Sequence, residues 1–479
     1  MSITRSLDRY FSISERKSTI AQELRGGAAT FFAMSYIVVL NPLILSGMDG
    51  AGNQLGLGRV AAATAFVAGI LSILMGVWAK HPFALATGLG VNAFVAATVA
   101  TNPDMTWPDM MGLIVLAGLA MFVLVLTGFR RAVFNAVPEG LKAAIVAGFG
   151  LFIALIGFVN AGFVRRIPDA AGTTVPVSLG DGGQLLGWPV LVFVVGLLLT
   201  AGLMARKVKG AILYGILVST VLANVLEMVF RIGPSVDADG NYNPQGWSLV
   251  VPGFDAWTAP DLSLIGQFSM FGAFEHLGVM AASLLAFVIL LSIFFDAMGV
   301  TVGLAHQAGN IDEKGNIPHL DRVLLVDAAG AAAGGASSIS SNQIFVESGT
   351  GIGEGARTGL ASVLTGALFL GAMFLTPLVS LVPFEAVAPA LVVVGFMMIQ
   401  QIIRVDFTDV GLAIPAFLTI VLMPFTYSIA NGLGAGFVAF AAIRLMQGRA
   451  KEVHPLMWVV AAAFIVYFGM GVIEGWMGV

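Results

Sequence analysis

The stretch SNQIFVESGTGIGEGARTG, residues 341–359, sets Glu347 among Asn342, Gln343, Ser348 and several glycines, with long apolar runs on either side. A carboxylate there accepts N–H groups when ionised and donates its own proton when neutral, so it suits a polar solute or a proton. Three acidic residues lie deep in apolar sequence: Asp296 in LLSIFFDAMGVTVG, Asp327 in RVLLVDAAGAAAGG, and Glu347. A charged side chain at the centre of a membrane-crossing helix costs ~2.5–3.5 kcal/mol, so such residues usually face a cavity and serve function. The structural alternative is a hydrogen bond that locks two helices together, and it is favoured for Asp327, near the end of its segment among Ala and Gly. Asp296 and Glu347 sit at mid-span beside small residues, where a ligand or an exchangeable proton is the better reading. Asn92, in ATGLGVNAF, carries donors and an acceptor suited to the same heterocyclic ligand.

The elements that hold these residues must cross a bilayer. The 479 residues are 58% hydrophobic and 10% charged, with a mean hydropathy of +0.94, against roughly 25% charged residues in an average soluble domain. Apolar segments fall near 27–47, 58–79, 84–99, 111–128, 138–160, 187–205, 209–230, 277–304, 321–336, 340–353, 358–379, 385–403, 410–447 and 455–476, fourteen in all. Several reach the ~20 residues that a helix needs to span the hydrocarbon core. Segment 410–447 is either one bent helix or two short ones joined at MPFTYSIANGLGAG. Residues 1–26 have no apolar core followed by a small-residue cleavage site, and read as a cytoplasmic lead-in rather than a signal peptide. Arg5, Arg9, Arg16, Lys17 and Arg25 precede the first span, and Lys80, Arg130, Arg131, Arg206, Lys207 and Lys209 recur after every second crossing. Lys314, Arg322, Arg357, Arg404 and Arg444 continue a pattern that puts the N-terminus in the cytoplasm of a multi-pass cell-membrane protein. Arg165 and Arg166 break it once, in a long outer loop.

Several classes are disfavoured. Without cysteine there is no disulfide framework or thiolate metal site, and a net charge of −4 argues against a nucleic-acid partner. His306, His319 and His454 are too far apart to suggest a metal site and read as solvated, while His81 and His276 sit near helix ends. GTGIGEG lacks the Lys-Ser/Thr ending of a phosphate loop. No paired carboxylates or nucleophile–base spacing marks an intramembrane enzyme, and nothing calls for a cofactor.

GLIVLAGLAMFVLVLTGFRRAVFNAVPEGLKAAIVAGFG, from residue 112, can be laid beside GLASVLTGALFLGAMFLTPLVSLVPFEAVAPALVVVGF, from residue 359. Seven crossings separate the copies, so the second is inverted relative to the first, the sequence mark of a secondary transporter. The halves are expected at 27–230 and 266–479, joined by an outer loop at 231–265. The site in such proteins lies at the midplane, where short interrupted helices from matching positions meet. Two such segments precede the two copies: HPFALATGLGVNAFVAATVA, holding Thr87, Asn92 and Phe94, and the Glu347 stretch, holding Phe345 and Ser348.

The motifs SYIVVLNPLIL, ATGLGVNAF, FFDAMG, GNIDEKGNIPHLDRVLLVD, VESGTGIGEGARTGL and PAFLTIVLMPFTYSIANG occur in one order over nearly the whole chain. Through them the sequence resembles the nucleobase:cation symporter-2 superfamily, in particular its adenine/guanine/hypoxanthine permease branch. The resemblance implies an all-α protein of fourteen segments in a 7+7 inverted repeat with broken segments 3 and 10. It implies a core domain, about 27–128 plus 277–379, and a gate domain, about 138–230 plus 385–476, commonly in a homodimer. It also implies proton-coupled purine uptake by elevator-like movement of the core, with Asn92, Asp296 and Glu347 contacting the purine, and Asp296 or Glu347 coupling the proton. Thr87, Phe94, Phe345 and Ser348 complete the expected binding set. The chain departs from the pattern at Ile293, where many relatives have a second aspartate, and at Gln343, Ile344 and Phe345, where two small residues and a tyrosine are usual. Uracil, xanthine or an anion on the same fold is the alternative cargo.

Overall fold

A chain inside hydrocarbon must pair its backbone polar groups internally, and helices do so within a single segment. The computed structural model describes residues 3–128, 136–166, 177–208, 210–235, 243, 245–248, 251–253, 259–310 and 317–477. Arg130, Arg131, Lys209, Lys314, parts of the 231–265 loop and the side chain of Asp296 lie outside the described residues.

The first half begins with an amphipathic helix, α1 (Ile3–Phe11), followed by α2 (Ile20–Met34), α3 (Ile37–Ile44) and α4 (Leu57–Leu74). A three-residue strand, β1 (Leu85–Thr87), leads into α5 (Leu89–Thr101), and α6 (Trp107–Leu126), α7 (Glu139–Asn160), a small hairpin (β2, Val164–Arg166; β3, Val177–Leu179), α8 (Trp188–Ala205) and α9 (Ala211–Phe230) follow. The second half contains α10 (Gly272–Leu277), α11 (Val279–Ala308), α12 (Leu320–Ala336), strand β4 (Asn342–Ile344) and α13 (Ser348–Gly353). It ends with α14 (Gly359–Ala372), α15 (Phe384–Ile399), α16 (Val410–Phe425), α17 (Ile429–Met446) and α18 (Pro455–Met477). Local chemistry sets several starts. Thr106 and Asp109 form a capping box at the head of α6, with proline in its first turn; the Thr358 hydroxyl caps α14 and that of Ser428 caps α17.

Among the described residues, nine helices are long and apolar enough to cross a membrane, and four shorter apolar helices accompany them. They pack as two groups. In one, α14 lies against α2 and α4, and α6 against α12; in the other, α7 lies against α15 and α16, α8 against α9 and α15, and α16 against α17. The pairings are reciprocal under inversion of the halves, since α4 on α14 is matched by α12 on α6, and β1 by its own partner β4.

The structure refines four segments of the sequence reading, and for 410–447 it takes the two-helix alternative. The first crossing is divided into α2 and α3, and 410–447 is two helices, α16 and α17, separated at residues 426–428. Segments 84–99 and 340–353 begin as strands, not as helices. The reason is long-range pairing: where each helix breaks, its exposed amides and carbonyls find partners on the other. Leu85, Ala86 and Thr87 face Ile344, Gln343 and Asn342 in antiparallel register. Hydrogen bonds from Phe345 N to Ala84 O and from Gly88 N to Ser341 O, each 2.9 Å, extend the ladder at both ends.

Candidate functional site

The crossed strands fix where each broken segment turns into its helix. The Asp327 carboxylate accepts the Ile344 amide at 2.8 Å, and the Ser348 hydroxyl oxygen accepts the Ala84 amide at 3.0 Å. Both bonds hold β4 in place. Asp327 therefore fastens one segment to another, in keeping with its structural reading.

Beside the crossing lies a cavity of about 190 Å³, below the ~300 Å³ at which sites for drug-sized ligands begin. Gly88, Leu89 and Gly90 line it from the first broken segment, Gln343 through Glu347 from the second, and Val300 from α11. The opposite wall comes from α7 through Val146 and from α15 through Val394, Met397 and Met398, with Gln401 just beyond. The lining is apolar but for one carboxylate and two carboxamides.

Glu347 does not stand alone. The Tyr36 hydroxyl, on a residue 1% exposed, donates to its Oε1 at 2.7 Å, and the Tyr36 and Phe345 rings lie 6.4 Å apart between centroids. Tyr36 went unnoticed in the sequence reading, although it belongs to the quoted motif SYIVVLNPLIL; its link to Glu347 spans 311 positions.

Of the residues expected at the site, Phe345 and Glu347 line the cavity. Asn92 does not: its Nδ2 donates to Asn41 Oδ1 at 2.6 Å, and Asn41 Nδ2 donates in turn to Thr64 Oγ1 at 2.8 Å and Ile339 O at 3.2 Å. This chain of polar side chains joins α3, α4 and α5. Phe94 is buried in the core, Thr87 is buried opposite Asn342 in the ladder, and Ser348 is engaged with Ala84. Asp296 lies on α11, the helix that supplies Val300. His81, expected near a helix end, is buried, and its ring Nε2 is 2.7 Å from the Pro318 carbonyl.

A small, mostly apolar cavity between two helical groups, floored by two broken segments that cross, defines the class: a multi-pass membrane carrier. The Permease family model (Xan_ur_permease) matches residues 21–433, and the chain belongs to that family. The guanine/hypoxanthine permease PbuG of Bacillus subtilis is 34% identical over 465 residues, covering 96% of this chain and 98% of that protein. The adenine permease AdeP of Escherichia coli is 33% identical over 462 residues, covering 96% and 95%. These relatives are transporters, not enzymes. Among solved structures, the transmembrane domain of the cyanobacterial bicarbonate transporter BicA aligns with a TM-score of 0.56 at 13% identity, over 88% of this chain and 97% of that one. The fold is thus the 7+7 inverted repeat with core and gate domains.

Proposed function

We propose that this protein is a secondary active transporter that takes up purine nucleobases, adenine, guanine and hypoxanthine, together with protons, by an elevator-type movement. The observation that carries the reading is Glu347, held by Tyr36 at the edge of a compact cavity whose walls come from both helical groups. Close similarity to permeases named for guanine, hypoxanthine and adenine supplies the cargo class.

A planar base enters with one ring N–H directed at Glu347 and its faces between Phe345 and the Met397–Met398 wall. Glu347 and Asp296 are the candidate proton carriers. Each proton moving down an inward-negative potential yields ~2.3 kcal/mol per 100 mV, enough to drive accumulation. Because one wall belongs to residues 27–128 and 277–379 and the other to 138–230 and 385–476, a rigid shift of the first group against the second carries the base across. The active unit is a homodimer in the cell membrane, with the N-terminus in the cytoplasm. An anionic cargo on the same fold is disfavoured by the carboxylate in the lining.

The test is uptake of radiolabelled adenine, hypoxanthine and guanine into proteoliposomes, with and without an inward proton gradient. Gradient-stimulated uptake of a purine, competed by the others, is expected. Flat uptake of all three by correctly inserted protein, with uracil or xanthine transported instead, would replace adenine, guanine and hypoxanthine as the cargo.

A further inference from the structure

Gln343 is the central residue of β4, opposite Ala86 in the ladder. It is 1% exposed, lines the cavity, and neither its Nε2 nor its Oε1 has a hydrogen-bond partner among the described residues. A buried polar group left unpaired costs ~1–3 kcal/mol, so an idle carboxamide beside a cavity is poised for something that arrives later. The space it occupies depends on Gly88: a Cβ built there would stand 2.3 Å from Gln343 Oε1 and 2.9 Å from its Cδ. Gly88 has φ −67°, open to any residue, so its bare Cα serves the approach of the carboxamide and not a turn.

Resting on the purine reading above, we infer that Gln343 is the specificity-determining residue that reads the six-membered-ring edge of the base, its C6 substituent together with N1. Glu347 accepts a ring N–H, which every purine has, and so does not tell one purine from another. A carboxamide presents a donor and an acceptor side by side. In one orientation its Nε2–H donates to the 6-oxo group while Oε1 accepts N1–H, as hypoxanthine and guanine require. Turned over, Oε1 accepts from the 6-amino group of adenine while Nε2–H donates to N1. The site therefore takes 6-oxo and 6-amino purines alike and penalises a purine with nothing at C6.

The test is competition by adenine, hypoxanthine and unsubstituted purine for a labelled base on the full-length purified protein, comparing wild type with Gln343→Leu and Gly88→Ala. Wild type should prefer both substituted bases over purine by about tenfold, the scale of one hydrogen bond. Gln343→Leu should bring that ratio close to unity, and Gly88→Ala should do the same by displacing the carboxamide. Gly88→Ala, which leaves Gln343 itself in place, keeps the test alive should the leucine variant fail to fold. An equal loss for all three bases, or no change in any variant, overturns the role of Gln343 while leaving purine transport standing. Wild-type protein that binds none of the three overturns the purine reading itself, and this inference with it.

Discussion

At the scale of single residues, Glu347 is oriented before any base arrives, because the Tyr36 hydroxyl already occupies one lone pair of Oε1 at 2.7 Å. A hydrogen bond to a charged group contributes ~1.5–3 kcal/mol, so Tyr36→Phe should weaken purine binding by roughly tenfold or more without unfolding the protein. Glu347→Ala should abolish binding. Competition binding on both variants checks the pair, and wild-type affinity in either removes that residue from the site. Asp327 has a different task. Its Oδ1 is the acceptor for the Ile344 amide, and Asp327→Ala leaves a buried N–H without its partner, a loss of ~1–3 kcal/mol. Asp327→Asn keeps an acceptor oxygen in the same place. Thermal unfolding in detergent should therefore rank wild type above Asn above Ala, and an alanine variant as stable as wild type would show that the bond does not hold β4.

At the scale of elements, α7 and α15 approach until their backbones touch. A Cβ on Gly395 would lie 2.4 Å from the Gly150 carbonyl oxygen, and one on Gly150 2.6 Å from that of Gly395. Small residues at such crossings are what bring membrane helices together, since lipid is as apolar as the helices themselves. Gly395→Val should force the pair apart, destabilise the fold by the ~1–3 kcal/mol typical of overpacking and so lower the unfolding midpoint; an unchanged midpoint would mean that the crossing yields freely. The hairpin of α16 and α17 is fastened by charge: Asp409 caps α16 by accepting the Gly411 amide at 3.0 Å, and Arg444 near the end of α17 reaches its Oδ2 at 2.5 Å. The Arg444 hydrogen bond holds the Asp409 carboxyl below its ordinary value of 3.8. A carboxyl lowered in the folded state contributes stability above its ordinary value and loses it as pH falls through the folded value. Asp409→Asn should accordingly be less stable than wild type at pH 7, with the gap closing in strong acid. A gap that is the same at all pH values would assign the effect to packing instead.

At the scale of the whole molecule, the cavity is a seam between two groups of helices, and movement along that seam is the proposed transport step. Gly90 faces the Phe149 ring across it, with a Cβ position 3.5 Å from the ring. The chain contains no cysteine, so the double variant Gly90→Cys with Phe149→Cys would carry the molecule's sole thiols. Oxidative cross-linking of that pair should stop uptake, and reductant should restore it. Uptake that continues at full rate through a verified cross-link would show that the two groups do not slide past one another there.

Composition and periodicity alone sufficed for a multi-pass protein, because sparse charge goes together with many apolar runs of membrane-spanning length, and the two Val-Pro-acidic stretches, running into α7 and α15, disclosed the inversion. Glu347 was legible for the same reason: a carboxylate in apolar sequence among glycines needs a purpose. Tertiary structure alone decided what these residues touch. Ala86 and Gln343 pair across the two halves of the chain, and no local pattern announces a strand three residues long. Asn92 looked ready for a ligand, yet its Nδ2 is engaged by Asn41, whose role is invisible until α3 and α5 come together. Sequence determines which groups are too polar for their surroundings, since that is a matter of solvation residue by residue; which of them are satisfied by the protein, and which wait at a cavity, is settled only when distant segments meet.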